Sequence, residues 1–416
     1  MAGSGLGSVF RVPEFRIVWG AELFSVVGDQ LARVALAVLV YGRTGSALWA
    51  TVTYALTFLP ALLGGVLLSG LADRYRRREV MIVSDLARAV LVATMAIPGL
   101  PLWALCGLLV AVVLLGSPHT AAQGALYPEI LRGELYERGL AVRQITSQTA
   151  QLVGFASGGL LVAAVSPAGA LLGNAVSFAL SALVVRLGVK DRPRPGSAAD
   201  APAEAPVGGL RGVVAGLVEI ATDPRRRALV ALAWLVGWYV VPEALAAPYA
   251  DQLGAGPAVV GLLMAADPLG SVLGAWLFVR FVPAATRARL VGVLAVAAGV
   301  PLVLCAFRPG LALTLVLWGV SGMLSTAYLL QTQAGFVRAT PDAGRGRAIG
   351  VAASGIIASQ GGAVLVGGLL ADAWDPATAV AVAGAIGAVL SVGGAVAWHR
   401  ADVTASPGTR RSTPAR

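Results

Sequence analysis

Charge is what this sequence has least of. Only 12% of its 416 residues are Asp, Glu, Lys or Arg, against 57% hydrophobic residues and a mean hydropathy of +0.80. A soluble chain of this length needs a charged exterior, and these residues cannot build one. Lysine is almost missing: Lys190 stands alone among 31 basic residues. With the abundance of Ala, Gly and Val, this reads as a high-GC bacterial coding bias. The two cysteines, Cys106 and Cys305, sit inside apolar runs, without the spacing of a disulfide framework or a metal site. Two histidines with no acidic or cysteine cluster give no zinc site, and no Gly-rich phosphate loop is present. No metal, no nucleotide cofactor and no enzymatic chemistry are therefore expected. The N-terminus lacks a short apolar core followed by a small-residue cleavage site, so the first apolar stretch is expected to stay in place as an anchor.

What fills the chain instead is long apolar runs. A bilayer-spanning helix needs about 20 mostly apolar residues, and that ruler finds twelve: 17–41, 48–71, 80–97, 102–126, 142–165, 168–187, 228–249, 258–281, 290–307, 311–335, 348–371 and 378–398. Loops rich in Arg and Lys stay on the cytoplasmic side. With twelve spans, 27 of the 31 basic residues fall in the termini, in alternate loops or, as Arg143, Arg186 and Arg280 do, at the span ends that meet those loops; Arg43 and Arg308 fall on the other side, and Arg33 and Arg88 lie deeper within spans. The alternation predicts a multi-pass protein of the bacterial cytoplasmic membrane with both termini inside. It also accounts for the net charge of +10, leaving no soluble basic domain for a nucleic acid.

The longest inside loop, rich in Pro, Ala, Gly and Ser, reads as a flexible linker. It divides the chain into an N-terminal six-helix bundle (1–190), a cytoplasmic linker (191–226), a C-terminal six-helix bundle (227–400) and a disordered tail (401–416). The halves repeat faintly at an offset of 209 residues: Arg138 falls on Arg347, Gln151 on Gln360, and "GGLL" at 158–161 on "GGLL" at 367–370. Two similar six-helix bundles around a midplane site are the architecture of an alternating-access transporter.

Between the second and third spans lies "SGLADRYRRRE". It resembles the loop signature of the major facilitator superfamily, G-x-x-x-D-R-x-G-R-R, with Asp73, Arg74, Arg77 and Arg78 matching and Ser69 and Arg76 in place of the two glycines. The flanking "GDQLARVALAVLVYGRTGSALWATVTYALTFLPALLGG" and the later "GALYPEILRGELYERGLAVRQITSQ" are similar to the efflux branch that includes macrolide and enterobactin exporters. The resemblance implies an all-α fold of twelve transmembrane helices in two pseudo-symmetric six-helix bundles. It also implies that Asp73 and the arginines latch the cytoplasmic ends in the outward-facing state, where Arg77 or Arg78 can pair with Glu129 or Glu134. On the fifth span, residues 154–159 resemble the antiporter signature G-P-x-x-G-G with Phe155 at the proline position. Thr120 stands where proton-coupled relatives carry an arginine.

Ionisable residues inside a span cost about 2.5–3.5 kcal/mol each on insertion scales and usually face a cavity or a partner. Asp29 and Arg33, at i and i+4 on the first span, can pair with each other or serve coupling. Glu243 follows Pro242 in the seventh span. Asp267 precedes Pro268, which is expected to break the eighth. These three acids are the candidates for proton coupling or for a cationic substrate. Gln144, Gln148 and Gln151 share one face of the fifth span, and Tyr328 and Gln331 cluster on the tenth; they either line a cavity or hold helices together. Gly154, Gly158, Gly159, Gly367 and Gly368 let helices approach closely.

The reading is a monomeric secondary transporter, with protons as coupling ion, exporting hydrophobic or amphipathic small molecules of drug or siderophore type. Uptake or exchange of a small metabolite is the alternative, and a non-transporting membrane scaffold or sensor the alternative of another class.

Overall fold

The computed structural model describes residues 6–68, 70–193, 210–341 and 344–404. Ser69, residues 194–209 of the expected linker and residues 405–416 of the expected tail lie outside the described residues. Helix dominates, and the described residues contain no strand. The helices are α1 (Pro13–Thr44), α2 (Ala47–Leu56), α3 (Pro60–Leu67), α4 (Leu71–Arg74), α5 (Arg77–Met95), α6 (Leu102–Ile130), α7 (Glu134–Val165), α8 (Pro167–Gly188), α9 (Leu210–Ala221), α10 (Pro224–Trp234), α11 (Val241–Ala244), α12 (Ala246–Gln252), α13 (Pro257–Phe281), α14 (Ala284–Val303), α15 (Leu311–Ala339), α16 (Arg345–Ala373) and α17 (Pro376–Thr404).

Among the described residues, eleven helical segments are long and apolar enough to cross a membrane. The twelfth expected span is α5, whose 19 residues carry Arg77, Arg78, Glu79, Asp85 and Arg88. It packs against α6 and α8, and the burial of its charged face there compensates for its polarity. Large apolar side chains such as Leu67, Leu187 and Val389 are exposed, which suits lipid and not water.

Three expectations about continuity are corrected. The second span is broken after Leu56, because Pro60 has no N–H for the carbonyl of Leu56 and starts the separate helix α3. The seventh span changes from α10 to a 3-10 turn at Leu235–Tyr239 and then to α11 and α12; Pro242 and Pro248 remove the N–H groups that a continuous helix would offer to Trp238 and Ala244. The eighth span, by contrast, is continuous: α13 runs through Pro268. Part of the expected flexible linker is also helical. In α9, Val213, Val214, Leu217 and Val218 recur at helical spacing, and Glu219 at its end lies 3.8 Å from both Arg226 and Arg347.

The chain forms two compact units. The first comprises Met1–Glu204, Glu243–Pro268 and Ala371–Pro376; the second comprises Ala205–Pro242, Leu269–Leu370 and Ala377–Arg416. In the first unit α1 packs on α7 and α8, and α5 on α6 and α8. Phe15, Met81, Leu126 and Tyr127 form the core at its arginine-rich end. In the second unit α15 packs on α10 and α14, and Tyr239 donates to the carbonyl of Ala295 while its ring meets Tyr328 edge-on at 6.3 Å.

Glycine sets how closely α7 approaches its neighbours. A Cβ at Gly154 would stand 2.6 Å from Gln30 Cβ of α1, one at Gly158 3.1 Å from Val34 Cγ2, and one at Gly159 2.8 Å from the Gly261 backbone of α13. In the second unit Gly367 packs on Val241, and Gly368 is buried. Gly159→Leu is expected to cost about 1–3 kcal/mol or more by overpacking, read as a lower thermal midpoint in detergent. Gly173→Ala, at a position with nothing within 4 Å, should leave the midpoint unchanged.

Candidate functional site

The charged residues of the spans gather in the first unit as a chain of pairs. The carboxylate of Asp29 on α1 accepts from Arg88 Nη2 of α5 through both oxygens, at 3.1 and 3.2 Å. Arg88 also lies 3.6 Å from Asp85, and its guanidinium stacks 3.9 Å above the ring of Phe178 on α8. Asp85, fully buried, accepts from Ser181 of α8 at 2.6 Å and meets His119 Nδ1 of α6 at 3.0 Å. Four helices are thereby joined through charge in a region where each isolated charge is costly. The pairing of Asp29 with Arg33 that their spacing allows is not made. Arg88, half-way round the bundle in sequence, has taken the carboxylate.

Nearer the arginine-rich end, Glu22 of α1 accepts from Arg143 Nε and Nη2 of α7 at 2.8–3.1 Å, and from the Tyr127 hydroxyl of α6 at 2.8 Å. Arg143 in turn lies over the Tyr127 ring at 4.4 Å and reaches Gln123 at 3.3 Å. At the loop, Arg77 pairs with Glu129 and donates to the carbonyl of Ala125. Glu129 is shared with Arg192, which also binds Glu14 at 2.5 and 2.9 Å. Hydrogen bonding to Glu14 raises the pKa of the Arg192 guanidinium above its ordinary value. Arg78 donates to the carbonyl of Arg186, and Glu134 is taken by Arg138 instead. The Asp73 carboxylate is exposed and takes no hydrogen bond or ion pair from a described residue; the Arg74 guanidinium lies 6.0 Å from the Tyr75 ring.

At the opposite, arginine-poor end of the same unit, Tyr41 of α1 donates to Asp251 at 3.0 Å. Asp372 accepts from Ser46 Oγ and from the Ala47 N–H that opens α2, both at 2.6 Å. Deeper in, Tyr54 of α2 donates to Glu243 of α11 at 2.6 Å, both groups being buried. Arg33 acts electrostatically on both, and Asp267 on the tyrosine.

Beneath these contacts lies a cavity of about 570 Å³ lined by Asp29, Arg33 and Arg88 with apolar groups from α1, α3, α5, α6 and α8. Thr57 and Phe58, at the break between α2 and α3, face it. Gln144, Gln148 and Gln151 on α7 do not line it. Gln331 lines a separate cavity of about 240 Å³ in the second unit with Arg225 and Arg338, and Tyr328 is buried against Tyr239. Tyr54 was invisible in the sequence, since its partner lies 189 residues away. The Glu22–Arg143 pair, 121 residues apart, was equally hidden.

Removing Arg88 would leave Asp29 and Asp85 without their cation. Arg88→Ala is expected to cost about 3–5 kcal/mol, as for a buried pair broken on one side, and to reduce the folded yield in detergent. Restoring neutrality with Asp29→Asn in the same chain should recover part of that loss, measured by size-exclusion chromatography and thermal unfolding.

The chain matches the profile of the Major Facilitator Superfamily over residues 18–242. It is 28% identical over 375 residues to the multidrug efflux pump Tap of Mycolicibacterium fortuitum, covering 85% of this chain and 88% of that protein. It is also 28% identical over 371 residues to the enterobactin exporter EntS of Escherichia coli, covering 86% and 85%. In structure it is similar to a POT family peptide-bound transporter, with a TM-score of 0.71 at 12% identity over 93% of this chain and 96% of that one. A bacterial homolog of the lysosomal transporter Spinster gives 0.67 at 14% identity over 99% and 100%. With its helical spans, its charged loop after the second span and this match over more than half its length, the chain belongs to the Major Facilitator Superfamily of membrane transporters.

Proposed function

We propose that the protein exports amphipathic small molecules across the bacterial cytoplasmic membrane by proton-coupled alternating access, as a monomer with its arginine-rich end and both termini in the cytoplasm. The positive-inside bias of 27 among 31 basic residues supports the orientation. Direction and substrate type are supported by the likeness to Tap and EntS, named as an efflux pump and an exporter.

The observation that carries the reading is the unequal engagement of the two ends of the first unit. Tyr41–Asp251, Ser46–Asp372 and Ala47–Asp372 tie the arginine-poor end with a few exposed hydrogen bonds. Exposed polar contacts of this kind contribute about 0–1 kcal/mol each, so together they form a closure that can open. At the other end Asp73 is unengaged. In this reading the outer gate is shut and the Asp73 part of the inner latch is released, while Arg77 keeps Glu129, so substrate enters the cavity beside Asp29 and Arg33 from the cytoplasm. Opening outward breaks the Asp251 and Asp372 contacts, and Asp73 then takes up its latch.

Coupling falls on Glu243. Both oxygens of Asp29 are engaged by the Arg88 guanidinium, whereas the hydrogen bond that Glu243 receives comes from a neutral hydroxyl. Glu243 stands where the seventh span is broken, so a change in its charge acts on the gate directly above it. Asp267, whose field reaches the Tyr54 partner of Glu243, is the second acid of this site.

The test is accumulation of dyes and antibiotics in a bacterium stripped of its major efflux pumps, with and without a protonophore. The expected result is lower accumulation in cells carrying the protein, abolished by the protonophore and absent in Asp73→Asn. Glu243→Gln should fold normally and lose the protonophore-sensitive difference. Full gradient-driven export by Glu243→Gln would remove Glu243 from the coupling scheme, and unchanged accumulation of every compound, with the protein verified in the membrane, would refute export.

A further inference from the structure

The cavity in the first unit is apolar on most of its wall, with Leu36, Phe58, Met95, Leu109 and Val112 among the lining groups. Three charged side chains reach it, and two of them are already committed. Asp29 gives both oxygens to Arg88, and Arg88 is further fixed by Asp85 and by the face of Phe178. The third, Arg33, donates no hydrogen bond and forms no ion pair with a described residue. Its neighbour one turn back, Asp29, points to Arg88, and Oε1 of Glu243, within reach of its field, is occupied by Tyr54.

Resting on the export reading above, we propose that Arg33 anchors the anionic group of the substrate, so that this cavity takes amphipathic organic anions, carboxylates or sulfonates on an aromatic or alicyclic body. A guanidinium stays charged under all physiological conditions, and its planar fork matches a carboxylate or sulfonate through two hydrogen bonds. A cation within a span is costly, and Glu243, whose Oε1 is occupied by Tyr54, meets Arg33 only through its field; an arriving anion relieves that cost while its apolar body covers the wall. The volume of about 570 Å³ lies within the range of small-molecule sites, about 300–1,000 Å³. A cationic substrate meets the opposite situation. Its natural partner, Asp29, would have to be taken from Arg88, leaving that guanidinium buried and uncompensated against Phe178. The assignment of Asp29 as a receptor for cations is thereby replaced by an assignment of Arg33 as a receptor for anions.

A matched trio of probes tests this without requiring transport: naphthalene-2-sulfonate, naphthalene-2-methanol and 2-naphthylmethylammonium. Each is offered to the purified full-length chain in maltoside micelles by equilibrium dialysis, with protein-free micelles subtracted. The sulfonate is expected to bind about tenfold or more tighter than either of the others. Arg33→Gln should lose that preference, and Arg33→Lys should retain part of it. Should Arg33→Gln fail to fold, Arg33→Lys alone carries the comparison with 2-naphthoate, whose planar carboxylate needs the fork and should bind several-fold more weakly. Equal or tighter binding of the cation or the alcohol, or sulfonate binding unchanged in the Arg33 variants, would overturn the proposal. The accumulation assay separates the two readings. Export of cationic dyes with no sulfonate binding removes the anion site and leaves export standing, whereas Arg33-dependent sulfonate binding with no transport of any compound keeps the site and removes export.

Discussion

The salt bridge between Asp29 and Arg88 organises the first unit. Neither charge could remain alone within a span, because the membrane interior supplies no water to solvate it. Together they tie α1 to α5. Through Asp85, His119, Ser181 and the ring of Phe178 the same cluster reaches α6 and α8. This arrangement also explains why α5, too polar by composition to count among the apolar spans, is held between α6 and α8. Its charged face is the part that the bundle needs.

That commitment shapes everything around it. With both oxygens of Asp29 taken by Arg88, Arg33 is the charged group of the cavity that makes no hydrogen bond to a described residue, and Glu243 is held by the Tyr54 hydroxyl. The breaks in the second and seventh spans bring these groups together: Tyr54 lies just before the turn at Thr57, and Glu243 opens onto it from α11. Proline makes both breaks possible, and a broken helix within a membrane persists where its freed backbone groups are buried in protein or face a cavity. The two ends of the unit then differ in kind. The arginine-poor end is joined by a handful of exposed hydrogen bonds, while the arginine-rich end is held by shared carboxylates such as Glu129 and Glu14, each serving an arginine network.

Much of the fold was legible before the structure. Apolar length alone marks the spans, since the bilayer thickness and the need to satisfy every backbone group leave helix as the outcome for such runs. The family signature at Asp73, Arg74, Arg77 and Arg78 and the matches to Tap and EntS agree with that reading of the chain. The third span, expected over 80–97 from the same ruler, corresponds to α5, whose five charged residues keep it from counting as apolar.

The candidate site was legible only as a set of residue types. Sequence spacing places Asp29 and Arg33 on one face of one helix, where they can pair; the structure gives Asp29 to Arg88, 59 residues away. Pro268 reads as a helix breaker, yet α13 runs through it, while Pro60, Pro242 and Pro248 mark real interruptions. The sequence by itself determined the membrane class and the order of the apolar segments, because these follow from transfer free energies that each segment meets alone. Tertiary structure decided which carboxylate meets which cation, which proline breaks its helix and which charge is left facing the cavity. Those outcomes depend on competition among partners from different helices, and local spacing says nothing about who else is within reach.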